Sequence, residues 1–229
     1  MKNLIAHILE IIGFAKNNKN VVRDILENYV FRKIPRKPKK WNSGKKGNVV
    51  LVHGFGGNWS YLKEIGNFVN KLGYRVHVLN ELGVNLKPIF ESYKILEKYI
   101  DNNNLKNLIL IGHSKGGIIS KYFIDNSPLT DRVKLIISIA SPFGGTQLGR
   151  LKILNTHEFL PDSAIIQKLN AKTSKNKLFI NLFSRKDDVV IPNQNLILKG
   201  AKNIKVEVDG HLGILESEKT LREIDKILS

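Results

Sequence analysis

Ser114 lies in the run Gly112-His113-Ser114-Lys115-Gly116, a hydroxyl bracketed by glycines. The residues before it, Leu108 to Ile111, are all apolar and read as a buried strand. After it, Ile118, Ile119, Tyr122 and Phe123 return to helical spacing. A strand, a very tight turn and a helix force the turn residue into a strained backbone conformation. The flanking glycines let the two segments come close. The side chain at the tip then stands out of the fold. The helix that starts there offers free N–H groups and a positive dipole end, which favour charge developing on an oxygen. The chemistry these residue types suit is nucleophilic attack by a serine hydroxyl.

The stretch from Gly112 to Gly117, Gly-His-Ser-Lys-Gly-Gly, resembles the nucleophile elbow of the α/β-hydrolases, and most of all that of their lipase and esterase branch. Further motifs follow in the order this resemblance implies. His53-Gly54-Phe55-Gly56-Gly57 comes just after a β-branched strand over 48–52. It is similar to the His-Gly-apolar-Gly-Gly run of lipase-like hydrolases. The resemblance assigns the backbone N–H groups of Phe55 and Lys115 to an oxyanion hole, each donor worth about 3 kcal/mol. Ser141-Pro-Phe-Gly-Gly-Thr146 is similar to the Pro-x-x-Gly-Ser/Thr turn that lipases carry after the next strand.

The family places its triad acid after the following strand, here 177–183. Ser184-Arg-Lys-Asp-Asp-Val-Val-Ile-Pro192 supplies two aspartates at that point. Asp188, with Ile191 and Pro192 after it, fits the Asp-x-x-Val-Pro pattern and is favoured; Asp187 fits a looser Asp-x-x-Val. His211, in Asp209-Gly-His-Leu-Gly213 after the last strand, takes the place of the general base. Asp209 is a weaker candidate acid because it adjoins the base. His53 and His113 read as packing or hydrogen-bonding residues, and His7, His77 and His157 have no motif around them. The chain order Ser114, Asp188, His211 is that of the α/β-hydrolases.

Carried over, these residues imply a carboxylic-ester hydrolase working through an acyl-enzyme on Ser114. The same triad also suits an acyltransferase or thioesterase. A catalytically idle hydrolase fold used as a membrane-binding module is the alternative from another class. The mechanism calls for no metal and no organic cofactor. The histidines and carboxylates show no metal-ligand spacing, and the Gly54–Gly57 loop lacks the Lys-Ser/Thr of a phosphate-cradling loop.

The elements that must position these residues alternate. Strands over 48–52, 74–80, 108–111, 132–140, 177–183 and 203–208 are separated by helices over 59–72, 88–99 and from 118. The pattern predicts a mainly parallel sheet with helices on both faces, and the resemblance implies that this sheet is an α/β-hydrolase fold. Gln147 to Asn176 interrupts the rhythm where the family carries its cap. At roughly 30 residues it predicts a small cap over a shallow, open cleft, although its helix, around 160–170, suits a plain crossover equally.

Residues 48–229 form the expected catalytic domain, preceded by an arm over 1–47. Leu4 to Ala15 and Val21 to Phe31 have the spacing of two amphipathic helices. The first is shorter than a membrane span. Glu10 interrupts it and no small-residue cleavage site follows, which argues against a secretory signal. Arg32 to Lys46 then carries eight positive charges and no acid. With 37 basic against 20 acidic residues the net charge is +17, and there is no cysteine. Such a surface attracts anionic lipid or nucleic acid. No nucleic-acid motif supports the second. The arm therefore either packs on the catalytic domain or docks on an anionic membrane. The expected setting is cytoplasmic, with peripheral membrane contact as the variant, and the expected substrate is an acyl ester or lipid. Nothing in the sequence sets the oligomeric state.

Overall fold

A computed structural model of the chain describes residues 35–151 and 155–229; the two amphipathic helices expected in the arm lie outside the described residues. Six strands form, β1 (Asn48–Val52), β2 (Arg75–Val78), β3 (Leu108–His113), β4 (Val133–Ile139), β5 (Phe179–Lys186) and β6 (Lys202–Asp209). Every pairing is parallel, in the order β2-β1-β3-β4-β5-β6. Helices α1 (Lys63–Lys71), α2 (Ile89–Asn102), α3 (Lys115–Asn126), α4 (Ala164–Ala171), α5 (Gly213–Glu216) and α6 (Glu218–Leu228) supply the crossovers and the carboxyl end. This is the parallel sheet with helices that the alternating pattern predicts, and it agrees with the α/β-hydrolase fold that the resemblance implies.

The period-2 geometry of a strand divides the core. Val49 and Leu51 of β1 join one cluster with Ile65 and Val69 of α1 and Ile224 and Leu228 of α6. Val50 and Val52 face the other way, into a cluster with Leu96 of α2, Phe123 of α3 and Leu169 of α4. β1 and β3 are consequently buried along nearly their whole lengths, which is why they read as continuous apolar runs rather than alternating ones. Gly73, expected as a helix C-cap, has φ 98°. The N–H of Tyr74 bonds the carbonyl of Val69 at 3.1 Å, and that of Gly73 bonds Asn70 at 2.9 Å. That double closure turns the chain out of α1 and into β2.

The described part of the basic segment lies on the body of the fold. Trp41, within a short 3-10 turn at Lys39–Asn42, is fully buried in the α1/α6 cluster. Its ring meets Trp59 edge-on at 5.4 Å, and its indole N–H donates to Asn67 Oδ1 at 3.2 Å. A Cβ on Gly66 would come within 2.4 Å of that ring, so α1 presents a glycine there to admit it. Lys37 Nζ donates to the carbonyl of Val76 at 3.2 Å.

The strand order reverses between β2-β1 and β3, and the loops that leave β1 and β3 at their carboxyl ends open a crevice at that switch point. The glycine loop at 53–57 and the turn at Ser114 therefore meet side by side.

Candidate active site

Ser114 has φ 52° and ψ −120°, a conformation that L-residues avoid. The sequence tolerates it because of its glycines. A Cβ on Gly112 would lie 2.7 Å from the backbone of Gly116 and Gly117, and one on Gly116 would lie 1.9 Å from the carbonyl oxygen of Val52. The turn is pinned by the N–H of Ser114 donating to Ile139 O at 2.9 Å and that of Gly117 donating to Ser114 O at 3.0 Å. The strained serine thus sits at the end of β3, over the amino terminus of α3.

Ser114 and His211 line the same cleft, about 570 Å3 of space partly open to solvent, together with Phe55, Tyr61, Leu148, Val189 and Leu212. A smaller recess of about 260 Å3 adjoins it beneath Phe55 and Leu148, walled by Pro142, Thr146 and Phe159. Phe159 comes from the segment between β4 and β5 and meets the ring of Phe55 edge-on at 5.8 Å. Hydrogen bonds hold that segment both to itself and to the body of the fold. The N–H of Thr146 donates to Phe159 O at 2.7 Å, and Glu158 Oε2 accepts the N–H of Ile89 at 2.8 Å.

The two aspartates after β5 do different things. Asp187 is buried, and its carboxylate accepts His211 Nδ1–H at 2.9 Å through Oδ2. Oδ1 accepts the N–H groups of Val189 and Val190, both at 2.8 Å, and Ser184 Oγ donates to Oδ2 at 3.3 Å. Burial pushes this carboxyl upward. The His211 ring, its hydrogen bond and the two valine amides outweigh that and hold it below the usual carboxylate range. Asp188 is exposed and accepts the backbone N–H of His211 at 2.7 Å. The expectation that favoured Asp188 as partner of the imidazole is therefore corrected. The turn made by the amides of Val189 and Val190 aims Asp187 inward and leaves Asp188 on the outside, where it fixes the backbone of the histidine loop. Asp209 is not against the imidazole either; it pairs with Arg185 at the surface.

His113 is buried behind the site. Its Nε2–H donates to the carbonyl of His211 at 3.2 Å, and the two rings lie 4.8 Å apart. Burial first, and then the neighbouring His211 charge, lower it to about 3, so it stays neutral and works as a fixed donor. His53 Nε2–H donates to Gly83 O at 3.0 Å, and burial lowers it to about 4. Both act as the hydrogen-bonding residues expected of them. Asn193 was not singled out from sequence, yet its Oδ1 accepts the N–H of Asp187 at 3.0 Å and its amide donates to Arg185 O at 2.9 Å. The asparagine after Pro192 was its only trace in the sequence.

Among the described residues, no backbone acceptor takes the N–H of Phe55 or of Lys115. The second is one of the N–H groups that a helix start leaves without an intrahelical partner.

The family model for the alpha/beta hydrolase fold matches residues 47–174, a little over half of the chain. The chain belongs to the α/β-hydrolase family. It is 26% identical over 149 residues to "Putative esterase/lipase 2" of Mycoplasma pneumoniae, an alignment that covers 61% of this chain and 54% of that protein. It is 32% identical over 113 residues to "Putative esterase/lipase 3" of the same organism, covering 47% of this chain and 39% of that protein. The chain thus spans about half or less of the length of these curated relatives. Among solved structures, the mature form of the Bacillus licheniformis lipase BlEst2 superposes with a TM-score of 0.65 at 17% identity, covering 86% of this chain and 96% of that one. At that identity the likeness is one of fold.

Proposed function

We propose that this α/β-hydrolase is a serine carboxylic-ester hydrolase, of lipase or esterase type, that cleaves acyl esters through an acyl-enzyme on Ser114. The observation that carries this reading is the bond from His211 Nδ1–H to the buried Asp187, in the same cleft as a serine held at a strained elbow. With Nδ1 protonated and engaged, the lone pair of a neutral imidazole is on Nε2, the nitrogen on the far side of the ring.

His211 Nε2 accepts the proton of Ser114 as Oγ attacks the ester carbonyl carbon. The carbonyl π pair moves onto oxygen, where the N–H groups of Phe55 and Lys115 receive it. Asp187 keeps the imidazole in the required tautomer and stabilises its positive form. Collapse of the tetrahedral species expels the alcohol, which takes the proton from His211. Water then attacks the acyl carbonyl carbon as it gives a proton to Nε2. Collapse breaks the bond to Ser114 Oγ, which takes that proton back from His211 and leaves free acid and free Ser114. A transferase would differ only in the acceptor.

The substrate class is an acyl ester or lipid. The net charge of +17 suits an anionic membrane surface. Phe90 and Ile191, 53% and 59% exposed, follow β2 and β5 on the cleft side of the sheet and offer apolar contacts to such a surface. Among the described residues no helix is long and apolar enough to cross a membrane.

p-Nitrophenyl esters of rising chain length, given to wild type and Ser114→Ala, test the reading, together with fluorophosphonate labelling. Hydrolysis and labelling are expected in wild type only. Equal rates in the two proteins would overturn the proposal.

A further inference from the structure

Lys115 opens α3, directly after the elbow serine, yet its side chain is only 2% exposed. Its ammonium runs beneath the cleft, and both of its acceptors are main-chain carbonyls, Asn85 O at 2.9 Å and Lys87 O. The ring of Phe55 lies 5.6 Å from Nζ and the ring of Phe159 lies 5.8 Å away. The charge is costly to bury. Burial lowers its pKa to about 8, against the opposing pull of the Glu158 and Glu91 carboxylates. A side chain that only had to fill this space would do so better without a charge.

The carbonyls it holds belong to the turn that buttresses the glycine loop. His53 Nε2–H donates to Gly83 O at 3.0 Å, Gly56 N–H to Val84 O at 3.0 Å, and Asn85 Nδ2 to His53 O at 2.6 Å. Asn85 is fully buried with φ 53°, and its Oδ1 accepts Ser92 Oγ at 3.2 Å. A continuous chain of bonds therefore runs from the glycine loop, through the 83–87 turn, to the Lys115 ammonium. On the ester-hydrolase reading, the backbone N–H of that same lysine and the N–H of Phe55 receive the same developing charge.

We propose that Lys115 is a positioning residue: its ammonium locks the 83–87 turn to the start of α3 and so sets the spacing between the Phe55 and Lys115 amides. The inference rests on the ester-hydrolase reading. It adds a role for a side chain of which that reading uses only the backbone.

Lys115→Met retains the amide, the length and the bulk but removes the charge and the donors. On p-nitrophenyl butyrate, kcat is expected to fall about 10- to 100-fold with KM within about threefold, because misaligned donors cost transition-state rather than ground-state binding. Asn85→Gly, which accepts the left-handed φ while cutting the bond to His53, should give the same selective loss in kcat. It also carries the test if the lysine variant fails to fold. The double variant should lose little more than the worse single one, since both cut one chain of bonds. A full kcat in either folded single variant, or losses that multiply in the double, would overturn the role of Lys115 while wild-type turnover and probe labelling leave the ester reading standing. A wild type inert to ester and probe alike would overturn both.

Discussion

Asp187 and Asp188 grip one histidine by opposite ends. Asp187 takes the imidazole N–H of His211 at 2.9 Å, and Asp188 takes its backbone N–H at 2.7 Å. Adjacent residues of the same type thus divide orientation of the ring from placement of the loop. Asp187→Asn is expected to lower kcat for a p-nitrophenyl ester by roughly three to four orders of magnitude, since an amide in that position favours the wrong tautomer. Asp188→Asn should cost no more than about tenfold. The reverse ranking would return the acid role to Asp188.

Backbone strain at Ser114 can be read as stability. Its φ of 52° and ψ of −120° suit glycine, and strain of this kind costs about 1–3 kcal/mol. Ser114→Gly, though inactive, should be more stable than Ser114→Ala by about 1 kcal/mol in urea unfolding, the relief being partly offset by the extra freedom of glycine in the unfolded chain. Equal midpoints for the two would show that the elbow stores no strain.

Acid should weaken the fold before it titrates the site carboxylate. His53 and His77 are lowered to about 4 and His113 to about 3, in each case chiefly by burial. An unfolded chain takes up these protons near pH 6.5 while the folded chain refuses them. Protons are then bound by the unfolded state alone, so stability falls as pH drops from about 6.5 to 4. Asp187, held below the usual carboxylate range, adds its own loss only at lower pH, as it becomes protonated. Urea unfolding at stepped pH checks the window; a flat profile from pH 6.5 to 4 would contradict it.

Lys115 predicts the opposite edge. Its folded pKa, about 8, lies below the unfolded value near 10.5. Between those values the unfolded chain holds the proton and the folded chain has released it. Wild type should therefore gain stability relative to Lys115→Met as pH rises from about 8 to 10.5. A difference that stays constant across the window would mean that the ammonium is better solvated than its burial indicates.

Trp41 should matter to folding despite lying in a basic stretch. It is fully buried, stacked edge-on with Trp59 and bonded to Asn67. Trp41→Ala is expected to cost about 3–5 kcal/mol, measured by urea unfolding. A cost under about 1 kcal/mol would show that the segment before β1 is only loosely held.

Much of this was legible in the chain. Continuous apolar runs marked the buried strands, and Ser114 and His211 fall in glycine-flanked turns at strand ends, where backbone constraint leaves a signature. The choice between Asp187 and Asp188 was not legible, because either could have taken the amides two and three residues on; only the folded turn shows which one does. Trp41 was hidden by composition, a single aromatic among lysines whose partners lie 18 and 26 residues away. The reach of the Lys115 side chain escaped too, since nothing in a run such as Gly-His-Ser-Lys-Gly tells an ammonium turned inward from one turned to water.

With all six strands running the same way, the loops that build the cleft gather at one end of the sheet. The turn between α2 and β3 lies at the other end, and Asn102, Asn103 and Asn104 there are all exposed. A fluorescent tag or an immobilising tether spliced between Asn103 and Asn104 would sit a full strand length from Ser114. The protein could then be anchored to a support with its mouth facing outward.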